Sequence, residues 1–200
     1  MKNSIDVIHV TKNDPDGILK TIKSFHLKNK YFKLFKIKET VVDGSDDETS
    51  IKIREICVKY NVRYIKQMGK GISDAFNVGV MASREEWSWF VNGGDLLYRD
   101  IDVNLFERNL RLVKSDYAIF KTLVDGRENE FPEINKMWPP IINWICHPSM
   151  LVKTAVLKEN IFDEHYSIAM DGDLWIRLLP NTKGYILPQI IAEFNTGGLS

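Results

Sequence analysis

Two hydrophobic rhythms divide the chain. In the first half, short runs rich in β-branched and aromatic residues alternate with stretches whose apolar residues recur every three to four positions. Ile5-Asp6-Val7-Ile8-His9-Val10 reads as a buried strand. A polar loop, Thr11–Gly17, follows, with a helix start near Pro15. Ile18, Ile22 and Phe25 then fall at helical spacing. Ile37–Val42 is a second strand, broken by Asp43-Gly44-Ser45-Asp46-Asp47. The next helix carries Ile53, Ile56, Cys57 and Tyr60 on one stripe, behind an acidic first turn that suits the helix dipole. Val62–Ile65 is a short third strand and Met68-Gly69-Lys70-Gly71 a loop. A third helix then presents Ile72, Ala75, Phe76 and Gly79 on one face. Trp87–Val91 is the fourth strand. Four alternations of strand and helix predict a parallel sheet covered by helices. A helix over Asp102–Val113, with Val103, Phe106, Leu110 and Val113 inward, and a strand over Tyr117–Val124 complete this half of the pattern.

After Gly126 the rhythm changes. Pro132, Pro139, Pro140 and Pro148 punctuate an irregular, aromatic-rich segment. A helix is expected from about Thr154 and another over Asp171–Leu179, stopped by Pro180. Tyr185–Leu187 and Ile190–Phe194 read as short late strands. The expectation is one α/β domain over residues 1–200, with functional halves 1–114 and 115–200.

Charge narrows the function. Lys plus Arg and Asp plus Glu are both 27, so the formal net charge is zero and nothing points to nucleic acid. The local run Lys28-Asn29-Lys30, Lys33 and Lys36-Ile37-Lys38 reads as a solvated face, with an anionic membrane surface as the alternative. Cys57 and Cys146 sit in apolar patterns, as reduced core residues of a cytoplasmic protein do. No apolar run has the length of a membrane span, and the N-terminus lacks the apolar region of a signal peptide. A cytoplasmic protein is expected, with peripheral attachment to the inner face of the membrane as its membrane option.

The candidate chemistry lies where strands end. Trp87-Ser88-Trp89-Phe90-Val91 breaks into Asn92-Gly93-Gly94-Asp95. The two glycines let the backbone turn tightly and approach a ligand closely. Asp43 ends the second strand as Asp95 follows the fourth, and in a parallel sheet these ends share one edge, where open α/β sheets bind ligands. One such acid can hydrogen-bond a base or ribose, and another can hold a divalent cation against a diphosphate. A turn or helix-cap role is the plain alternative for each. The first β-α turn lacks Gly-x-Gly-x-x-Gly, no P-loop occurs, no His/Cys set has zinc spacing, and Ser45 lies outside any nucleophile elbow.

Five stretches in order carry a resemblance. They are Val41–Thr49, Gly69–Gly79, Phe90–Asp95, Cys146-His147-Pro148-Ser149-Met150 and Phe162–Leu178. Together they resemble a family-2 glycosyltransferase of GT-A fold, a Rossmann-like three-layer sandwich with a mostly parallel central sheet. The resemblance implies an inverting transfer of a sugar from a nucleotide-sugar, most simply a UDP-sugar, to a hydroxyl of a glycan or lipid-linked acceptor in surface polysaccharide synthesis. It implies a divalent cation, Mn²⁺ or Mg²⁺. It matches Thr11, Asn13, Asp43, Lys70, Asp74 and Asn77 to the nucleotide-sugar, and Asn92 and Gly94 are assigned to the same ligand. Asp95 matches the last acid of the metal-binding Asp-x-Asp element, and Asp171 the catalytic base. His147, Asp173 and Trp175 match the acceptor side.

The chain departs from the family pattern at Gly94, where many members have an acid, and at Met170, where members often carry Glu. It ends at Asn195–Ser200, where relatives usually continue. Two other readings compete. One is a non-catalytic nucleotide-sugar-binding module, motivated by Gly94 and the short C-terminus. The other is an α/β phosphate hydrolase, which needs a nucleophilic Asp after the first strand and finds only Asp14 and Asp16 at a helix start. Trp138 and Trp144 are candidate sugar platforms, with core packing as their alternative.

Overall fold

The structure, a computed structural model, describes residues 3–112, 114–128, 145–166 and 168–194. Strands β1 (Asn3–Thr11), β2 (Phe35–Asp43), β3 (Arg63–Lys66) and β4 (Trp87–Phe90) lie in the order β3-β2-β1-β4, all parallel. Helices α1 (Pro15–Asn29), α2 (Asp47–Tyr60) and α3 (Gly71–Ala82) make the connections. α4 (Val103–Leu112), α5 (Thr154–Glu159) and α6 (Met170–Leu178) follow.

Alternate residues of each central strand feed opposite cores. Ile5, Val7, Trp87 and Trp89 pack with Phe25 of α1 and Phe106 of α4. Ile8 and Phe90 pack with Phe76 of α3, Leu157 of α5 and Trp175 of α6. A third cluster joins Ile18 and Ile22 of α1 to Val41, Ile53 and Cys57. Thus α1, α2 and α4 cover one face and α3, α5 and α6 the other. Burial on both faces is why these strands read as continuous apolar runs. α3 lies so close to β1 that a Cβ on Gly79 would sit 2.4 Å from Ile8 Cγ2.

The sheet continues through β5 (Leu96–Leu97), β6 (Tyr117–Val124), β7 (Arg127–Glu128), β8 (Met150–Lys153) and β9 (Gly184–Phe194). The order beyond β4 is β8-β6-β9-β5, with β7 paired to β6. β8 runs antiparallel to both β4 and β6, β9 runs parallel to β6, and β5 runs antiparallel to β9. Most paired positions are parallel, so the GT-A sandwich expected from the resemblance holds.

The sequence pattern differs from the structure mainly in this half. The two expected late strands are one, β9. Its register against β6 shifts between Ile186, opposite Ile119, and Ile190, opposite Lys121. Pro188 lies within that bulge, where its missing N–H costs no ladder bond, and it splits the apolar pattern without ending the strand. β5, β7 and β8 are two to four residues long, too short to show a period. Asp102 caps α4 rather than starting it, its carboxylate accepting from Leu105 N at 3.0 Å. α6 begins at Met170 and passes into a 3-10 turn, Leu179–Asn181, at Pro180. Val113, Trp138, Trp144 and residues 195–200 lie outside the described residues.

One buried acid ties α4 to the start of β2. Glu107 is 1% exposed, and its carboxylate accepts from the backbone N–H groups of Lys33, Leu34 and Phe35 at 3.0, 2.8 and 2.8 Å. Glu107→Ala is expected to strand the buried Phe35 N–H and destabilise the fold by about 1–3 kcal/mol. A urea titration reads this as a lowered midpoint, and an unchanged midpoint rejects the tie.

Candidate active site

The C-terminal ends of β1, β2 and β4 converge on one edge. Thr11 stands opposite Asp43 in the parallel ladder. The β1–β4 pairing runs on past the strand through Val91 N to Ile8 O at 3.1 Å and Gly93 N to Val10 O at 2.9 Å. The turn Asn92–Asp95 is thereby fixed against β1. A Cβ on Gly93 would lie 3.0 Å from Thr11 Oγ1, and Gly94 has φ +100. Both positions use the absence of a side chain. Thr21 of α1 holds the turn from below, its hydroxyl accepting from Gly94 N at 3.0 Å and lying 3.2 Å from Asn92 O. Nothing in the local sequence marks Thr21, because its role comes from a contact 73 residues away.

Around Asp43 the polar groups form a closed set. Its carboxylate accepts from Ser45 N at 2.9 Å and from the Tyr64 hydroxyl at 2.9 Å. Burial would raise its pKa, but the Ser45, Ser50 and Tyr64 hydrogen bonds outweigh it and hold the carboxyl below the usual range. The side chain is wholly shielded from solvent. Asn13 clasps the same loop: its N–H donates to Ser45 Oγ at 2.7 Å, and its Oδ1 accepts from Asp46 N at 3.0 Å. It does so in the left-handed region, at φ 54, which Asn tolerates better than most residues.

Gln67, which the sequence pattern does not single out, joins this loop to α3. Its N–H donates to Asp43 O at 2.9 Å, and its amide donates to Asp74 Oδ2 at 2.7 Å. Lys70 is exposed at the α3 N-cap position. Asn77 faces elsewhere: it exchanges two hydrogen bonds of 2.9 Å with the backbone of Phe162 and donates to Glu164 at 3.2 Å. Ser73 donates to Tyr166 O at 2.9 Å. α3 therefore anchors the segment that leads into α6.

The second half contributes one histidine and one acid. Two tryptophans fix the segment that carries His147. Trp89 Nε1 donates to Pro148 O at 2.9 Å, and Trp175 Nε1 donates to Ile145 O at 3.3 Å. Trp175 is thus buried core with a positioning hydrogen bond. The His147 ring meets Phe76 and Phe194 at 5.9 and 5.6 Å between centroids. Its Nε2 lies 3.4 Å from Asp95 Oδ2 and its Nδ1 3.8 Å from Asp171 Oδ2. Burial disfavours the imidazolium, but the carboxylates of Asp171 and Asp95 overcome this and raise His147 to about 9. Asp171 is shifted the other way: burial raises it, and the His147 charge holds it below the usual range.

Asp171 does not cap α6. The cap position is Ala169, which sits at φ 56, a conformation that strains a residue with a Cβ. Asp173 points away from the cleft, its carboxylate meeting Arg177 Nη2 at 2.8 Å. Residues two apart on a helix do not share a face, and the two acids separate accordingly. On the β1–α1 loop, Asp14 accepts from Gly17 N at 2.8 Å as the cap of α1. That occupies the acid a phosphate hydrolase would use.

The residues beside Asp95 fit a hard cation in part. Asp95 Oδ2 also accepts from Asn92 N at 3.2 Å. Asn92 Oδ1 and His147 Nε2 are buried atoms with no hydrogen-bond partner among the described residues. A carboxylate and an amide oxygen are donors that Mn²⁺ or Mg²⁺ accepts, and His147 Nε2 would become a donor to Mn²⁺ only on giving up the proton that Asp171 and Asp95 hold on the ring. No group of three His, Cys, Asp or Glu among the described residues forms a complete metal cage. A diphosphate and water would have to supply the remaining ligands.

Comparison with known proteins places the chain. An uncharacterized glycosyltransferase of Rickettsia conorii is 26% identical over 191 residues, 87% of this chain and 30% of that protein. One of Rickettsia felis is 26% identical over 151 residues, 68% of this chain and 24% of that protein. The chain thus spans under a third of the length of these relatives. Among solved structures, S. aureus TarS 1–349 in complex with UDP-GlcNAc superimposes with a TM-score of 0.77 at 19% identity, covering 96% of this chain and 58% of that one. Glucosyl-3-phosphoglycerate synthase of Mycobacterium tuberculosis, in complex with Mn²⁺, UDP and glucosyl-3-phosphoglycerate, gives 0.61 at 14% identity, covering 95% and 71%. These likenesses confirm the GT-A fold. The model of glycosyl transferase family 2 matches residues 6–171, from β1 to the first turn of α6, and the chain belongs to that family.

Proposed function

We propose that the domain moves a sugar from a UDP-sugar to a hydroxyl of a glycan or lipid-linked acceptor, with inversion, in surface polysaccharide synthesis. The observation that carries this is the placement of Asp95 and Asp171 on opposite sides of the His147 ring. An inverting displacement needs its base and its leaving group on opposite faces of the sugar. Asp171, ionised at neutral pH beside His147, takes the acceptor proton. Residues 1–114 then form the donor half and 115–200 the acceptor half.

The UDP complexes of the solved relatives support the choice of nucleotide. Thr11, Asn13, Asp43, Lys70 and Asp74 stand at the donor edge, with Asn92 and Gly94 in the turn beside it. Asn77 supports the site from below through Phe162. Asp95, with Asn92 Oδ1 and, once deprotonated, His147 Nε2, would hold a divalent cation, which when bound neutralises charge on the departing diphosphate. His147 and Trp175 shape the acceptor side, and Asp173 braces α6 through Arg177. Cys57 and Cys146 form no disulfide, and burial pushes their thiols up to about 12 and about 11. Inert reduced thiols suit a cytoplasmic setting.

Gly94 favours a second reading, a module that binds the donor without transferring it, since one acid of the pair is missing. UDP release from UDP-sugars in the presence of acceptor separates the two. Asp43→Ala is expected to weaken UDP binding by about 1–3 kcal/mol, the cost of losing hydrogen bonds to a charged group. Unchanged UDP affinity by calorimetry removes Asp43 from the donor site.

A further inference from the structure

The corner where α1 ends and β2 begins carries charge of one sign. Between Gly17 and Lys38 the chain carries seven lysines and neither Asp nor Glu, in a protein whose net charge is zero. Lys30, Lys33 and Lys36 are exposed. The nearby acids are already engaged: Glu107 accepts three backbone N–H groups, and Glu85 lies 3.5 Å from Lys38. Large apolar side chains stand out among these lysines, with Leu27 70%, Tyr31 50% and Leu34 37% exposed. They alternate with Phe32 and Phe35, which are buried and hold the corner to the core. Tyr31 is flanked by Lys28 and Lys30, whose ammonium groups lie 5.9 and 5.1 Å from its ring. A groove of about 660 Å³ opens beside them, lined by Lys30, Lys36, His26 and Asn29.

Exposed apolar side chains also stand elsewhere on the surface, but here three of them are grouped among lysines. A soluble acidic protein would match the lysines but leave a rigid corner little area to bury. An anionic bilayer meets both features at once, because its headgroups attract lysines and its interface accepts Leu and Tyr side chains. We propose that this corner docks the domain on an anionic membrane surface. No helix among the described residues is long and apolar enough to span a membrane; the contact proposed is that of a surface laid on the headgroups.

The docking stands apart from the donor reading, since it uses none of the cleft residues. It does set the geometry of the cleft. β2 begins at the basic corner with Phe35 and ends at the site with Asp43. The eight steps from Phe35 to Asp43, at about 3.3 Å each, separate the two by about 26 Å. The cleft therefore opens away from the headgroups, toward a glycan that extends from the surface.

The test is sedimentation of the full chain with phosphatidylcholine vesicles, with and without about 30% phosphatidylglycerol. The chain is expected to sediment only with the anionic vesicles and to be released by about 0.5 M salt. A triple variant, Lys30→Glu, Lys33→Glu and Lys36→Glu, should bind about 100-fold more weakly at an unchanged melting temperature. Leu27→Ser with Tyr31→Ser should also weaken binding with all charges retained, which distinguishes insertion from simple attraction. Equal sedimentation with both vesicles, an undiminished folded triple variant, or preferential capture by single-stranded RNA at the same salt would overturn the proposal. UDP binding by the triple variant is measured in parallel, so a failed docking and a failed donor site are told apart.

Discussion

An Asp171→Asn protein is expected to fold, bind UDP normally and turn over about 10²–10⁴-fold more slowly. The geometry sets this expectation. Asp171 Oδ1 accepts from Gly172 N at 2.9 Å, a bond an amide oxygen also makes. Ala169 occupies the cap position, so α6 does not depend on the Asp171 charge for its start. What the amide cannot do is accept a proton from a sugar hydroxyl. The cost to folding is the loss of attraction to the buried His147 ring across 3.8 Å, about 1–3 kcal/mol. Asp173→Asn is the control. It breaks the pair with Arg177 on the far side of the helix and should leave turnover near the wild type. Reversal of the two results, with Asp173→Asn inactive and Asp171→Asn active, would move the base to Asp173 and undo the opposed arrangement around His147.

The parallel half of this fold was legible because its strands are buried on both faces. Ile5–Val10 and Trp87–Val91 are mostly apolar, with Asp6, His9 and Ser88 as buried exceptions, and the helical stripes between them point to the same three layers. The second half was legible only in part: the pattern of Tyr117–Val124 marks β6 with its bounds and β9 shows as two strands, while β5, β7 and β8 go unmarked. β8 presents only Met150, Leu151 and Val152 as an apolar run, and β9 is broken in pattern by Pro188 while its ladder continues past the bulge. Within the site, the acids at strand ends could be found because topology alone places them on one edge. Their partners could not. Thr21, Gln67 and Glu107 act through contacts that no local spacing encodes, and Tyr64 reveals itself as the Asp43 partner only when β3 pairs with β2. Asn77 shows the converse. Its place in the resembling stretch suggested a ligand contact, yet its amide is matched atom for atom to the backbone of Phe162.

With a divalent cation present, UDP is expected to bind the wild type more tightly than in chelator, and Asp95→Asn should remove that difference. Asp95 is the single carboxylate of the turn, because Gly94 takes the place of a second. A hard cation needs several oxygen ligands, so the cation alone should bind weakly and the diphosphate should strengthen it. Asn at position 95 keeps an oxygen able to accept from Asn92 N, a contact of 3.2 Å in the wild type, so the turn should hold its shape. Any loss then reflects the missing charge. The expected fall in cation affinity, with UDP present, is about 10–100-fold or more. His147→Ala is the second arm. If Nε2 is a ligand, the variant loses part of the cation effect on UDP binding. If the ring only spaces Asp95 from Asp171, the cation effect stays whole and turnover alone falls. Equal UDP affinity with cation and with chelator in the wild type would mean that Asp95 is no metal ligand. The 3.4 Å contact with His147 would then be the reason the turn carries a buried carboxylate.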